Sequence, residues 1–239
     1  MSVNINTKEY WDDRFSSDDW EKKRGRWQTE SFAKGQIKRL NIASDFTGAL
    51  LDFGCGLGDA MPIYKENFPY AELIGMDISQ SAIDKCRDKY NEIATFMQGD
   101  HSSTPEVDVI IASNVFEHLS DDRDIAKHLL SKCRYLFIVV PYKEMPLCSE
   151  HINSYDEHYF SALGKYNYTI FPCIGWTQYG IRGLWYNVYF KNIFRFFLGK
   201  KPCSRAMQIM FRFENTSNTI PAQQGAAPDG NSAALHCRR

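Results

Sequence analysis

Residues 50–58 read LLDFGCGLG. Two apolar residues and an acid, Asp52, lead into glycines at every second position: Gly54, Gly56 and Gly58. The apolar stretch Ala49–Phe53 reads as a short buried strand, and the chain from Asp59 onward (DAMPIYKENF) can start a helix. A glycine turn between strand and helix lets the backbone approach a ligand closely, because no Cβ stands in the way. Nucleotide-like cofactors sit at such turns, at the carboxyl edge of an α/β sheet. A dinucleotide fingerprint has its third glycine three residues after the second. Here Asp59 holds that place, and the third glycine comes one residue early.

Further along, residues 72–79 read ELIGMDIS, an apolar run ending in Asp77, 19 residues past Gly58. An acid about 20 residues on, at the tip of the second strand, is placed to accept both ribose hydroxyls. Ser79 suits a helix N-cap for SQSAIDKCRDKYNEI. Residues 94–100, ATFMQGD, form a strand-like stretch ending in Gly99 and Asp100. Residues 107–112 are an unbroken apolar run, the pattern of a buried parallel strand. Ser113, Asn114, Glu117 and His118 then lie at its carboxyl end. Ser120 with Asp121 and Asp122 suits a helix start, since acids favour the positive helix end. RYLFIVVPY, residues 134–142, is strongly β and closed by Pro141. Five such runs alternating with helical stretches predict βαβ units, hence a parallel sheet with helices on both faces.

These strings, in this order, resemble the class I (Rossmann-like) S-adenosylmethionine-dependent methyltransferases over about residues 7–213. VFEHL resembles many small-molecule methyltransferases, and EHI followed by an aromatic and a helix after the fifth strand is similar to the ubiquinone-biosynthesis-like small-molecule group and to methyltransferases of bacterial polysaccharide biosynthesis. The resemblance implies a seven-stranded, mostly parallel sheet with the last strand antiparallel. It implies S-adenosylmethionine as cofactor, with the turn Gly54, Cys55, Gly56 and Gly58 around its methionine and ribose. Asp52 would hold the methionine end, and Asp77 with Ile78 the ribose. Gly99 and Asp100 would meet the adenine amino group, and Ser113 and Asn114 complete the cofactor site. A nicotinamide-dependent oxidoreductase is disfavoured by the glycine spacing.

The resemblance also assigns residues 1–48 to a helical leader across the cofactor. EYWDDRF and DDWEKKRGRWQTESFAKGQIKRL read as its two helical pieces. Tyr10, Trp11, Phe15, Trp20 and Trp27 are then pocket walls or packing anchors. After the fifth strand, Glu150 and His151 lie on a loop over the substrate side. Ser154 with Glu157 fits a capping box and predicts a helix from near Tyr155. An oxygen acceptor must lose a proton on methylation, and a histidine serves best near neutral pH. His151 is the first candidate and His118 the second. Glu117 and Glu150 are orienters or substitutes, and Asp156 or Glu157 could approach His151. The string SNVFEHL lacks the Asn-Pro-Pro-aromatic motif of enzymes that methylate exocyclic nitrogens of nucleobases or glutamine. No carboxylate/His set has metal-like spacing, so no metal is expected.

A sixth strand is expected near 169–178 and a seventh near 206–213. Between them, 15 residues (184–198, LWYNVYFKNIFRFFL) include nine that are Phe, Trp, Tyr or Leu. Lys191, Arg195, Lys200 and Lys201 flank this aromatic insertion, placed at 180–204. It suits a lid, a homo-oligomer contact or a membrane-surface helix. Residues 216–239 lack aromatics and are expected to be disordered, leaving one methyltransferase domain over 1–215. The net charge of −1 gives no general pull toward nucleic acid. Seven scattered cysteines without a CxxC pair suit a reducing cytosol, and no secretion signal or spanning segment is read. The expectation is a cytoplasmic enzyme methylating a hydroxyl of a small molecule or glycan precursor. The alternatives are a protein or RNA acceptor, or a non-catalytic cofactor-binding regulatory subunit.

Overall fold

In the computed structural model, residues 5–173, 185–200 and 206–216 are described. The strands are β1 Ala49–Phe53, β2 Glu72–Asp77, β3 Thr95–Gln98, β4 Val107–Ser113, β5 Cys133–Pro141, β6 Tyr166–Pro172 and β7 Met207–Glu214. They form one seven-stranded sheet in the order β3-β2-β1-β4-β5-β7-β6. β1 to β5 pair in parallel, while β7 runs antiparallel to both β5 and β6. This is the Rossmann-like methyltransferase sheet that the resemblance implies. Its strand order reverses between β1 and β4, and ligands of open α/β sheets bind at the carboxyl edge beside such a point.

The helices are α1 Lys8–Ser16, α2 Asp19–Lys22, α3 Gly25–Leu40, α4 Met61–Asn67, α5 Gln80–Tyr90, α6 Asp122–Ser131 and α7 Lys191–Phe197. Successive strand residues point to opposite faces, so each strand feeds two cores. Leu50, Val109, Ile111, Phe137 and Val139 join one cluster with Leu40, Met61, Tyr64 and Cys86 from α3, α4 and α5. Leu51, Ile110, Ala112, Leu136, Ile138 and Val140 join the other with Ile125 and Leu129 of α6 and the rings of Phe116, Tyr155 and Phe160. Both faces are buried, which is why these strands read as continuous apolar runs.

The leader comprises three helices rather than two. The second expected piece breaks at Arg24, which takes a left-handed conformation (φ 65°). α1 is anchored to α5 by short polar bonds. Asp12 Oδ1 accepts from Ser79 Oγ at 2.6 Å, and Lys85 Nζ donates to the Phe15 carbonyl at 2.7 Å.

The helix expected from Tyr155 does not form. Ser154 Oγ donates to the Glu144 carbonyl instead of capping, and Glu157 is taken by the Tyr142 hydroxyl and Lys143 Nζ. Tyr155 bridges to Tyr142, and its buried hydroxyl meets the Phe116 carbonyl and Asp122 at 2.7 and 2.8 Å. That long-range bonding outcompetes a local cap. Only a 3₁₀ turn follows, at Ser161–Leu163. β6 starts earlier than expected, and positions 174–178 of the expected strand lie outside the described residues. So do 180–184 and 201–204 of the aromatic insertion and 217–239 of the expected disordered tail.

The described part of the insertion is a π-helical turn, Trp185–Phe190, running into α7. Its described apolar side chains are open to solvent; Trp185 is 65% exposed, and Phe196 and Phe197 are each 79% exposed. No helix among the described residues is long and apolar enough to cross a membrane.

Candidate active site

A cavity of about 670 Å³ opens at the carboxyl edge of β1, β2 and β4, under the leader. That is within the usual range for a small-molecule site. None of the described residues 185–198 lines it.

One wall is the glycine turn. Gly54, Gly56 and Gly58 all have positive φ, at 76°, 52° and 72°. Gly54 and Cys55 donate their backbone N–H to the Met76 carbonyl at 2.8 and 2.9 Å, which ties the turn to β2. A Cβ on Gly54 would come within 2.4 Å of Val115, so glycine is required there for packing as well as for conformation. Gly54, Cys55 and Gly56 line the cavity and Gly58 does not. Gly58 instead packs under α5, where a Cβ would meet Cys86 Sγ and the Tyr90 ring at 3.1 Å. Its place is beneath the turn, where it makes the bend.

Asp52 and Asp77, at the tips of β1 and β2, both line the cavity and are buried. Asp77 Oδ2 accepts the Gly56 N–H at 2.8 Å, and Oδ1 accepts the Ser79 N–H at 2.9 Å. The carboxylate thus holds the turn and the α5 start together, and each oxygen keeps a further lone pair. Burial pushes the Asp77 carboxyl up to about 6 against these N–H donors. Burial, then the charge of Asp77, pushes Asp52 up to about 7. Two buried acids side by side favour a ligand that brings positive charge and hydroxyl donors.

Ile78, Gly99 and Asp100 continue this wall. Asp100 Oδ1 is engaged by its own turn, accepting from Ser102 N and Oγ at 2.9 and 2.6 Å. Ser113 and Asn114 close the floor. Ser113 Oγ accepts from buried Gln36 at 2.7 Å, and Asn114 Oδ1 accepts from Gln208 of β7 at 2.9 Å.

The opposite wall is assembled from distant parts of the chain. Trp11, Phe15 and Trp20 of the leader line it, whereas Tyr10 and Trp27 do not. The Tyr10 hydroxyl donates to Glu150 Oε1 at 2.7 Å, and Arg14 pairs with the same oxygen at 2.5 Å. Glu150 therefore latches the leader to the loop after β5 and does not orient a histidine through its carboxylate. Its backbone carbonyl does so: His118 Nδ1 lies 3.1 Å from it. The carbonyl can only accept, so Nδ1 carries the hydrogen and Nε2 keeps its lone pair.

His118 and His151 meet edge to face, ring centroids 4.9 Å apart. His151 Nδ1 lies 2.5 Å from Glu144 Oε2, and its Nε2 lies 4.0 Å from Glu117 Oε1. The partner of His151 is thus Glu144. Asp156 caps the His158 N–H and Glu157 is held by Tyr142 and Lys143, so neither reaches it. Glu117 is fully buried, lines the cavity, and neither carboxylate oxygen has a hydrogen-bond partner. Burial raises its carboxyl to about 8. Burial, then the charge of His151, lowers His118 to about 4. Burial pulls His151 down, but its bond to Glu144 and the surrounding carboxylates more than offset that, leaving it raised.

Sequence reading brought Glu117, His118 and His151 to one site but missed Arg14, Glu144 and Cys148, which also line the cavity. Nothing in the spacing marks Glu144; it lies seven residues before His151 on an irregular loop.

Residues 51–135 match a family described as a methyltransferase domain. Over that segment, and in its seven-stranded sheet, the chain is similar to the class I, Rossmann-like methyltransferases. It is 25% identical over 116 residues to trans-aconitate 2-methyltransferase of Rhodopseudomonas palustris (strain BisB5), covering 44% of this chain. The chain spans 45% of the length of that relative. Solved structures share the methyltransferase fold at low identity. Coclaurine N-methyltransferase bound to N-methylheliamine and SAH superposes with a TM-score of 0.57 at 12% identity, over 78% of this chain and 72% of the other. The plantazolicin methyltransferase BamL, in complex with a triazolic desmethylPZN analog and SAH, gives 0.54 at 16% identity, over 89% and 96%.

Proposed function

We infer that this methyltransferase transfers the methyl group of S-adenosylmethionine to a hydroxyl oxygen of a small molecule or glycan precursor. S-adenosylmethionine, when bound, supplies a methyl carbon on a positively charged sulfur. The residues present suit it: the turn that approaches without Cβ atoms, and two buried carboxylates, Asp52 and Asp77. Trp11, Phe15 and Trp20 give the cavity an apolar wall, and orientation of the reactants there can supply several kcal/mol of the barrier.

The observation that carries the oxygen assignment is the Glu144–His151 pair. Glu144 fixes the tautomer and raises the basicity of the ring, leaving Nε2 to face the cavity beside Glu117. A carboxylate-backed histidine is a general base for an acceptor hydroxyl. The assay is radiolabelled methyl transfer over fractionated sugars, lipids, RNA and proteins. Label in a hydroxylated small molecule or glycan fraction is the expected result, and label confined to protein or RNA refutes the acceptor class. Cofactor binding without any transfer would support a regulatory subunit. We place the protein in the cytoplasm; among the described residues no disulfide joins Cys55, Cys86, Cys133 and Cys148.

A second reading concerns the exposed insertion. Between Glu157 and Glu214 the chain has no acidic residue and eight Lys or Arg. Aromatic side chains open to solvent within such a stretch support contact with an anionic membrane surface rather than a second copy of equal charge. Co-sedimentation with anionic vesicles, abolished by Lys191→Glu with Arg195→Glu, is expected. Failure to pellet, with a concentration-dependent dimer, would favour self-association.

A further inference from the structure

We propose that Glu117, His118 and His151 form a binding site for a divalent first-row transition-metal ion, of which zinc is the representative, at the acceptor end of the cavity. One ligand atom from each of the three residues lies within 4.8 Å of the others. Two imidazole nitrogens and one carboxylate oxygen, with the remaining positions open to the cavity, make a donor set suited to such an ion. Metal–ligand distances near 2.0–2.2 Å require these atoms to close in by roughly 1 Å, a side-chain adjustment.

Three features support a ligand there. Glu117 is fully buried with neither carboxylate oxygen partnered. A buried carboxylate without a hydrogen-bond donor is costly, and the nearest charged group, His151 Nε2, stands off at 4.0 Å. Both histidines are already arranged as metal ligands are. His118 gives its Nδ1 hydrogen to the Glu150 carbonyl and His151 pairs through Nδ1 with Glu144. A metal-bound histidine characteristically donates its other ring N–H to a carbonyl or carboxylate. The position is also one where an acceptor hydroxyl could complete the coordination.

A second possible set, Glu144 with Cys148 and His151, shares His151. Its cysteine is exposed and its carboxylate is already used to hold the ring, so the first set is favoured.

The role of the ion rests on the proposed methyl transfer; its binding does not. With it in place His151 is a ligand rather than the base. The bound acceptor hydroxyl is acidified, as metal-bound water is. The methyl C–S bond breaks, the C–O bond forms, and the hydroxyl proton leaves to solvent water as the sulfur becomes neutral.

The test uses the full chain, stripped of metal with a chelator and titrated with Zn²⁺ by calorimetry, without methyl donor or acceptor. Co²⁺ is the spectroscopic probe. One equivalent should bind, with cobalt absorption in the visible and no thiolate charge-transfer band. Glu117→Gln and His118→Ala should each weaken binding by at least about 100-fold, and Glu144→Gln by about 10- to 100-fold. Cys148→Ser should leave it unchanged. Circular dichroism melting checks that each variant folds, and Glu117→Asp, which keeps the charge, should retain binding if Glu117→Gln unfolds. No binding, or binding that survives Glu117→Gln and is lost in Cys148→Ser, overturns the site. Absent metal binding leaves methyl transfer with His151 as base; absent transfer leaves the titration standing.

Discussion

The two walls of the cavity are made of different material. Along β1 and β2 the wall is backbone and short carboxylates. Its parts lie at strand tips, and each is fixed by neighbours close by, as Asp77 is by Gly56 and Ser79. Across from it, the wall is side chains drawn from α1, the turn at Phe116–His118 and the loop after β5. There Glu150 joins Arg14 and Tyr10 from the other end of the sequence. A rigid scaffold can thus keep one wall for the cofactor, while loops on the other supply the chemistry for an acceptor.

If the walls divide the work in this way, substitutions should divide too. The largest effect is expected on the loop wall. His151→Ala should lose about 10²- to 10⁴-fold in turnover while cofactor affinity stays near normal. Loss in His118→Ala with near-normal His151→Ala would transfer the role, and a parallel loss of cofactor affinity would erase the division. On the strand wall, Asp77→Asn should weaken cofactor binding by at least about tenfold, since a charged double contact is lost. Truncation to Ala is a poorer probe, because it also orphans the Gly56 and Ser79 N–H groups.

A smaller effect concerns the ligand-free protein. Asp52 is raised from 3.8 to about 7 on folding. Between these values the folded state binds more protons than the unfolded state. Stability from this group is therefore full below 3.8 and declines as pH rises toward about 7. Asp52→Asn should flatten that slope in denaturant titrations at a series of pH values. An unchanged slope would mean that Asp52 is solvated by the cavity.

The strand wall was the legible one. LLDFGCGLG and ELIGMDIS carry strand, turn and acid in single unbroken strings, so periodicity and spacing suffice. Even there, Gly58 shows the limit. It completes the motif, yet what it touches is α5, a contact that spacing does not encode. The loop wall was legible in its residues but not in its pairings. His118 and His151 were both candidates, but their meeting depends on how the loop after β5 returns over β4. Glu144 carries no local signal. The Ser154–Glu157 string had a real local preference for a helix, and the burial of Tyr155 overrode it. The aromatic insertion showed its composition and its charge, but not that residues 185–198 stand apart from the cavity lining.

The cavity is where S-adenosylmethionine binds, and calorimetry with purified protein tests that most directly. S-adenosylmethionine and S-adenosylhomocysteine should bind with one-to-one stoichiometry, and Asp77→Asn should weaken both, while nicotinamide dinucleotides give no heat of binding. Binding of a nicotinamide dinucleotide in preference to either, or no binding of both, would contradict it.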